Sequence, residues 1–589
     1  MKIKEANLKR LAKLLDEVSE DRLIFDTREI SKWVRITGSE EEKRAFDYIK
    51  ERCIEAGASV KEYKPVIYSS VPLEARLRIR NNKEEMEIPC ITHSMSPSTP
   101  PEGISGKLSP LEESSLYGKI ALIKGVANPK SLLEATSKGA IGCVFLTETD
   151  PPPEMIVSPV WGSPTLEELK DLPKIPAVSV GSRFKERIFS LAKEGAEAKI
   201  FTKVKTDWTE TSCLIAEIKP IEGGESFVLL SGHVDSWHYG AMDNATGNAC
   251  QLEVLRIASL HREELKRSLR VAFWSGHSHG RYAGSTWYAD HNYVDLMLNC
   301  VVHINADCLG AKGASIVTEG NVMAETKHVG EVIIKLVCDQ KLNGTRFTRM
   351  GDQSFWGCGV PSLFVTPAEQ PPKEISDGIT ELLGKKRSGG LGPWWHTPLD
   401  TMEIIDPANL VRDTKIILGV TWLFLTSPLI PLKPASSIEE IGKYLNEYKD
   451  KYHSHIDESM EMGVSLALNE ALKLSLKIKE KLSKAEELFE SLADSLPPEH
   501  LPLINRKIME IERPLVRINY CKNPPYLHDP ALPQPPVPLL PELEMLRSLD
   551  RDQKMAFLVG LRRRLNGVQE ALISALNLAE DLLSLLKEG

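Results

Sequence analysis

The chain has 589 residues, with 73 Lys plus Arg against 82 Asp plus Glu and a formal net charge of −9. About 150 residues per domain is typical, so this length indicates three or four domains, and 42% hydrophobic residues suffice for packed cores. The mildly acidic balance argues against broad binding to nucleic acid phosphates. A membrane span needs roughly 18 apolar residues in a row. The longest candidate, 416–432, is interrupted by threonine, serine and proline, so it predicts a buried helix and no membrane partner.

The first 25 residues are charged and favour helices, without the apolar stretch or the small-residue cleavage site of a secretion signal. We therefore expect a cytoplasmic location. Ten cysteines are scattered along the chain without a C-x-x-C pair, and several lie in strand-like runs. This usage favours reduced, buried thiols over a disulfide framework or a zinc ribbon.

The N-terminal region, 1–65, is predicted to be largely helical. The segment Thr37-Gly38-Ser39-Glu40 supplies a capping signal before a helix whose Phe46, Ile49 and Cys53 lie on one stripe. From about 90 to 210 the pattern changes to short apolar strands, one helix and proline-rich loops. This change of character predicts a separate, small β-rich unit.

From about 211 to 430, apolar strands alternate with helix-length segments, which predicts a mainly parallel sheet covered on both faces. Beyond Pro434 the pattern is that of long helices, so we expect an all-helical C-terminal domain. Within it, 524–541 carries eight prolines and must be extended. A strap crossing between helices is a better explanation of this segment than a P-x-x-P docking ligand.

Polar residues stand where the strands of the β/α region end, which is the edge at which open α/β sheets build their sites. Each has an ordinary structural explanation when taken singly, such as a helix cap for Asp243 or a turn for Asp307. Jointly, two imidazoles and two carboxylates supply the ligand types that zinc favours, those of His233, Asp243, Asp307 and His396. The same edge is expected to carry Asp235 and the His277-Ser278-His279 segment.

Five segments resemble a family of zinc exopeptidases that includes bacterial aminopeptidases and glutamate carboxypeptidase II, and to which the transferrin receptor ectodomain is related. They read SGHVDSW, GAMDNATGNA, NADCLG, GDQSFWGCGVP and HTPLDTMEIID. The resemblance implies an α/β, mainly parallel-sheet exopeptidase domain with a β-rich protease-associated insert and a helical tail similar to a dimerisation domain. It assigns 1–90 to the N-terminal part of the exopeptidase domain, 91–210 to the insert, 211–432 to the catalytic part and 433–589 to the tail.

The same resemblance implies roles for individual residues. His233 and Asp307 are expected to bind one metal ion and His396 the other, while Asp243 bridges the two. Asp235 is expected to orient His233 from behind, as a catalytic partner. The cofactor implied is one or two ions of zinc, or of another divalent transition metal.

The family's remaining element, a Glu-Glu pair that supplies a general base and a metal ligand, is replaced here by WSGHSHGRYAGS. Aligning from Trp274 puts His277 at the base position and Ser278 at the ligand position. Aligning back from Gly284 and Ser285 puts Ser278 at the base position and His279 at the ligand position. We favour His279 as the metal ligand and His277 as the acid/base, because imidazole can do either task.

Two carboxylates, those of Asp243 and Asp307, remain where the usual site has three, so a second ion is expected to bind more weakly or to be absent. A single zinc ion held by His233, one of these carboxylates and one more histidine still activates water.

Three neighbouring side chains are candidates for substrate binding. Arg281 can offer a guanidinium to a substrate carboxylate and Tyr282 can stack on an aromatic group, although a packed loop arginine is an equal alternative. Trp395, next to Trp394, can wall a hydrophobic pocket, with core packing as the alternative.

We therefore predict a metal-dependent hydrolase that cleaves peptide or related amide bonds of small substrates. It is expected to act as an exopeptidase similar to an aminopeptidase. The alternatives are an amidase or an amide-forming or cyclising enzyme on the same fold, and a non-catalytic scaffold of the transferrin-receptor kind. Long amphipathic helices need a partner surface, so a homodimer through the C-terminal domain is expected.

Overall fold

The computed structural model describes residues 5–349, 351–371, 391–454, 458–492 and 496–588. Within them the chain builds two eight-stranded sheets and a set of long C-terminal helices.

The strands are β1 Ser59–Tyr63, β2 Val66–Arg80, β3 Glu85–Ile88, β4 Ile91–Thr92, β5 Ile104–Pro110, β6 Ile120–Lys124, β7 Gly142–Leu146, β8 Ala177–Val180, β9 Glu197–Glu210, β10 Cys213–Ile218, β11 Phe227–His233, β12 Ser268–Trp274, β13 Cys300–Asn305, β14 Asn321–Val322, β15 Thr345–Arg346 and β16 Ser362–Leu363. The helices are α1 Glu5–Leu15, α2 Glu20–Ile30, α3 Glu40–Glu55, α4 Pro129–Ser137, α5 Lys185–Lys193, α6 Gly247–Leu260, α7 Ala283–His291, α8 Tyr293–Asn299, α9 Lys327–Cys338, α10 Pro407–Thr426, α11 Pro434–His453, α12 Glu458–Leu492, α13 Leu501–Tyr520 and α14 Arg551–Glu588.

The first sheet has the strand order β1-β10-β12-β11-β13-β16-β14-β15, with β11 parallel to both β12 and β13. Alternate residues of β11 enter different cores, Val228 and Leu230 on one face and Phe227 and Leu229 on the other. Both faces are therefore covered, as the near-continuous apolar strands predicted. The carboxyl ends of β11, β12 and β13 meet at one edge, where His233 ends β11.

The predicted N-terminal cap is confirmed. The Ser39 side chain accepts a hydrogen bond from the backbone of Glu42, and α3 then runs to Glu55 with Phe46, Ile49 and Cys53 buried. This helix packs on the outside of the first sheet and places the preceding loop, 31–39, beside the sheet edge.

The second sheet has the order β3-β2-β9-β5-β6-β7-β8-β4, and β2 pairs with β9 along almost its whole length. The separate β-rich unit predicted for 90–210 is present, with its own core around Val144 and Val178. Its sheet begins earlier than position 91, because β2 and β3 pair with β9 and with each other rather than with the first sheet.

The all-helical C-terminal region is confirmed. Helices α12 and α14 pack along each other, and α11 and α13 complete the bundle against the first sheet. The proline-rich segment connects α13 to α14, and on its way the backbone N–H of Ala531 donates to the carbonyl of Pro159 in the second unit. No helix in the described part of the chain is long and apolar enough to cross a membrane, and α10 is the buried helix expected near 416–432.

Candidate metal centre

The carboxylate of Asp243 stands between two imidazoles. Its Oδ1 lies 3.0 Å from Nε2 of His233, and its Oδ2 lies 3.1 Å from Nε2 of His396. All three side chains are at most a tenth exposed. His233 ends β11, Asp243 lies in the irregular turn before α6, and His396 comes from a loop more than 150 residues later. The predicted convergence of these three residues is therefore observed.

The hydrogen bonds of both imidazoles fix which nitrogen is free. Nδ1 of His233 lies 2.8 Å from the carbonyl oxygen of Asp235, and Nδ1 of His396 lies 2.6 Å from that of Glu154. A carbonyl oxygen only accepts, so each Nδ1 carries the proton. Each Nε2 faces a carboxylate oxygen of Asp243, an arrangement that is stabilised either by a proton on Nε2 or by a metal cation between the two atoms.

The same demand for positive charge shows in the titration of these groups. Although burial lowers it, the carboxylates of Asp307 and Asp243 together raise the pKa of His233 well above its ordinary value. Against its own burial, the pKa of Asp243 is held well below the usual range by His233 and His396. Imidazole nitrogen and carboxylate oxygen are zinc ligands, so His233, Asp243 and His396 fit a zinc centre.

Asp307 joins this group from the end of β13. Its Oδ1 lies 3.6 Å from Nε2 of His233 and 3.3 Å from the sulfur of Cys308. Asp243, Asp307 and Cys308 each offer one ligand atom, and these atoms lie within 4.8 Å of one another. The predicted pairing of Asp307 with His233 is thus seen in the structure.

Asp235 supports the centre in a different way from the one predicted. Its backbone carbonyl, rather than its carboxylate, orients His233, since the nearest carboxylate oxygen is 3.7 Å from Nδ1. The carboxylate instead accepts the backbone N–H groups of His277 and Ser278, at 3.2 and 2.8 Å. Asp235 therefore holds the loop that replaces the glutamate pair.

His277 lies beside the centre. Its ring stacks on His233 with centroids 3.8 Å apart, and its Nδ1 lies 2.9 Å from Oδ2 of Asp352. His233, His277 and Asp307 form a second group whose ligand atoms lie within 4.8 Å of one another. Since Asp352 engages Nδ1, Nε2 is the atom that His277 offers to this group.

His279 is placed differently. Its Nδ1 lies 3.1 Å from Oγ1 of Thr37, and its ring packs on Trp237 with centroids 4.7 Å apart. Among the described residues that surround the ion position, the structure thus groups His277 with His233 and Asp307, and it does not bring His279 into that group. The division of roles between the two histidines stays a prediction.

Arg281 and Tyr282 both line the cavity beside the centre. The guanidinium of Arg281 donates to the carbonyls of Ser158 and Ile156, so it ties the second unit to the loop after His277. Tyr282 packs edge-on against His277, at 4.8 Å between centroids. Both residues are therefore next to the reacting position, and Arg281 also has a structural task.

Trp395 touches the centre directly. Its Nε1–H donates to Oδ2 of Asp243 at 2.8 Å, and its ring stacks on His396 with centroids 3.6 Å apart. It also lines the cavity, so the predicted pocket wall is at the same time a support for the bridging carboxylate.

The site contains three further residues, and the sequence analysis assigned a role to none of them. Asp352 holds His277, and Asp400 accepts the N–H groups of Met242 and Asp243 at 2.8 and 3.1 Å. Burial raises the pKa of Asp400 to about 7. Cys308 is the third. All three lie inside motifs already singled out, but nothing in their spacing distinguishes them from ordinary loop residues.

Four residues of the site have backbones in the left-handed region, which costs non-glycine residues about 1–3 kcal/mol each. Such conformations persist where surrounding structure fixes them, often at functional sites. Their φ angles are 50° for Arg281, 67° for Tyr282, 56° for Cys308 and 57° for His396.

A cavity of about 480 Å³ opens on the centre. The metal-site residues form its floor, the second unit contributes a wall around 126–131, and the proline-rich segment contributes Ala531, Leu532 and Pro533. Three separate parts of the chain therefore enclose one space beside Asp243 and Asp307.

Comparison with known proteins finds relatives that match part of this chain. Carboxypeptidase Q from Xenopus laevis is 29% identical over 191 residues, which cover 31% of this chain and 39% of that protein. Carboxypeptidase Q from Homo sapiens is 24% identical over 408 residues, which cover 64% of this chain and 79% of that protein. The first alignment thus spans less than half of the length of the relative.

Two solved structures share the fold. A peptidase M28 precursor from Shewanella amazonensis superposes with a TM-score of 0.56 at 20% identity, covering 72% of this chain and 97% of that one. A zinc aminopeptidase from Bacillus subtilis gives 0.51 at 19% identity, covering 69% and 96%. The predicted α/β exopeptidase fold is confirmed. Residues 214–421 match the model of peptidase family M28.

Proposed function

We propose that this protein is a metal-dependent exopeptidase that hydrolyses peptide or related amide bonds of small substrates. The observation that carries the proposal is the position of Asp243, whose two oxygens each face the free nitrogen of an imidazole, at 3.0 and 3.1 Å. A carboxylate in this place suits a bridge between two cations. The match of 214–421 to the model of peptidase family M28 and the fold shared with a zinc aminopeptidase support zinc as the cation.

A bound zinc ion lowers the pKa of its water and polarises the carbonyl of the substrate. His233, Asp243 and Asp307 would hold the first ion, and His396 with Asp243 would hold a second. We propose one tightly bound ion and a weaker second one, because no carboxylate takes the place of the missing glutamate beside His396 among the described residues.

His277 moves the proton. Its Nδ1–H is held by Asp352, so its Nε2 is free to accept a proton from the attacking water and to return it to the leaving nitrogen. Its side chain is 12% exposed, which leaves that nitrogen in contact with the cavity. The predicted acid/base role of His277 is therefore retained in the proposal, without a metal-ligand role for His279.

The enclosure of the site supports a small substrate. Its volume of about 480 Å³ falls in the range of small-molecule pockets, about 300–1,000 Å³. The β-rich unit, which we propose is a protease-associated insert, and the proline-rich segment both stand over the centre. Long polypeptides are excluded by such walls, whereas the end of a short peptide fits.

The test combines metal content with product analysis. Protein purified without added zinc is measured for transition metals and incubated with dipeptides that carry free or blocked ends. We expect at least one ion per chain and release of free amino acid. A protein that binds no transition metal overturns the proposal and favours the scaffold alternative. Metal without amino acid release, but with turnover of simple amides or glutaminyl peptides, overturns the exopeptidase in favour of the amidase or cyclising alternative.

We further propose a homodimer through the C-terminal helices. Leu466 and Leu476 on α12 and Val559 and Ile573 on α14 are between 49% and 67% exposed, so these two helices offer aliphatic side chains to a second copy of the chain. Light scattering of the native protein and of the Leu476→Glu variant tests this proposal. A native protein of monomer mass overturns it.

A further inference from the structure

Cys308 places its sulfur at the metal centre. Its Sγ lies 3.3 Å from Oδ1 of Asp307, the same oxygen that stands 3.6 Å from Nε2 of His233. The ligand atoms of Cys308, Asp307 and Asp243 lie within 4.8 Å of one another. Without a cation the thiol of Cys308 donates a hydrogen bond to Asp307. A metal ion bound at this position would replace the thiol proton.

We propose that Cys308 is a thiolate ligand of the first metal ion, beside His233, Asp243 and Asp307. This inference rests on the proposed metal centre. When the ion binds, the S–H bond breaks, a sulfur–metal bond forms and the proton leaves to solvent. No electron is transferred in this step.

The distances to Asp307 suit neighbouring ligands of one zinc ion. Ligands at about 2.0–2.3 Å from a zinc ion lie about 3.3–3.6 Å apart at tetrahedral angles. The observed separations are 3.6 Å from His233 to Asp307 and 3.3 Å from Asp307 to Cys308. The separation from His233 to Asp243, 3.0 Å, is shorter than this range.

A second observation points to the same position independently of the cysteine. Nε2 of His233 is buried and has no hydrogen-bond partner, while His233 is only 1% exposed. A buried nitrogen with an unused lone pair costs free energy unless a donor or a cation meets it. The nearest carboxylate oxygens are Oδ1 of Asp243 and Oδ1 of Asp307, and Oδ1 of Asp307 is also the oxygen that the Cys308 sulfur contacts.

Charge explains why a thiolate is useful in this chain. Loss of the glutamate pair leaves Asp243 and Asp307 as the carboxylates of the centre, one negative charge fewer than the family's usual site. A thiolate at Cys308 restores that charge. His233, Asp243, Asp307 and Cys308 would be four protein donors, and a catalytic water would then be the fifth ligand, a coordination number that zinc can reach.

The ligand set also determines which metal is preferred. Thiolate sulfur favours zinc and cobalt over magnesium and manganese, which prefer oxygen. The inference therefore narrows the cofactor from any divalent transition metal to one that accepts sulfur.

Cobalt substitution tests the assignment directly, because a cobalt–thiolate bond gives a near-ultraviolet charge-transfer band that nitrogen and oxygen ligands lack. The native protein, Cys308→Ser and Cys358→Ser are stripped of metal and titrated with cobalt(II). Cys358 is a matched control, since it is also buried but belongs to another core, that of Trp274 and Phe355. X-ray absorption of the native zinc protein provides a measurement that needs no variant.

We expect the band in the native protein and in Cys358→Ser, and its loss in Cys308→Ser. The zinc affinity of Cys308→Ser is expected to fall by at least about 10-fold. Loss of a residue that only orients a metal ligand already lowers metal affinity by about 10- to 100-fold. In the native zinc protein, sulfur should be found at about 2.3 Å from the ion. Cobalt bound at full occupancy without the band, or zinc without sulfur at that distance, overturns the role of Cys308 while the proposed hydrolase stands. A protein that binds neither ion overturns the proposed function itself.

Discussion

Oδ2 of Asp352 lies 2.9 Å from Nδ1 of His277, and the Asp352 side chain is fully buried. Despite burial, which raises it, the pKa of Asp352 is lowered by His277. This carboxylate is therefore an acceptor that fixes the Nδ1–H tautomer of His277 and presents Nε2 to the cavity. In the proposed mechanism, a histidine with a buried carboxylate behind it takes the part of the general-base glutamate that is missing from this chain.

Replacing Asp352 by Asn tests this tautomer control. The amide can donate to Nδ1 and thereby turn Nε2 into the protonated nitrogen, which cannot accept a proton from water. We expect kcat to fall about 10- to 100-fold, with KM and metal content unchanged. Asp290→Asn is the control, since Asp290 forms a similar pair with His528 on the surface, at 2.8 Å. A fall of the same size in both variants would mean that the effect is not specific to His277.

The contacts of His279 lead to a different prediction from the metal-ligand role that the sequence alignment suggested. Thr37 and Trp237 hold its ring away from the group of His233, His277 and Asp307. We expect His279→Ala to keep its full metal content, measured by elemental analysis, and to unfold at lower denaturant concentration because a buried side chain is lost. His233→Ala, in contrast, should lose the ion. Loss of metal from His279→Ala would restore the ligand role predicted from the alignment.

The edge of the first sheet was predictable because carboxyl ends of parallel strands meet there, so that His233 and Asp307 had to converge whatever their distance in sequence. The loop from 275 to 282 was not. Two alignments of it were equally good, and the choice between His277 and His279 depends on backbone hydrogen bonds to Asp235, which no spacing rule contains. The role of Asp352 could not be predicted from the sequence either, because tertiary contacts position its loop.

Trp395 gives a prediction about metal affinity. Its Nε1–H donates to Oδ2 of Asp243, the oxygen that faces His396. Trp395→Phe removes this bond and keeps an aromatic ring against His396. We expect zinc affinity to fall about 10-fold, because a group that orients a ligand is lost. Competition with a chromophoric chelator measures the effect. Trp394→Phe, whose Nε1 contacts the sulfur of Met242 instead, should bind zinc like the native protein.

The interface between the first sheet and the C-terminal helices predicts a pH-dependent stability that does not involve the metal. Ser437 of α11 lies 2.7 Å from Oε2 of Glu325 and 3.1 Å from Oε2 of Glu512 in α13. The other oxygen of each glutamate is buried without a partner. Burial raises the pKa of Glu325 to about 7, and burial together with Glu325 raises the pKa of Glu512 well above its usual range.

These raised pKa values fix the sign of the effect. Between the ordinary glutamate pKa of about 4.3 and the folded-state pKa of about 7 for Glu325, the folded protein binds more protons than the unfolded chain, so the free energy of unfolding falls as pH rises. One such group contributes a slope of at most about 1.4 kcal/mol per pH unit.

Glu512→Gln keeps the shape of the side chain without its charge. We therefore expect urea unfolding at pH 5 to 8 to show a shallower decline for Glu512→Gln than for the native protein, with the variant more stable at pH 8. Glu510→Gln, which alters an ion pair with Arg506 on the same helix, should leave the slope unchanged. An identical slope for native protein and Glu512→Gln would show that this pair ionises alike in the folded and unfolded chain.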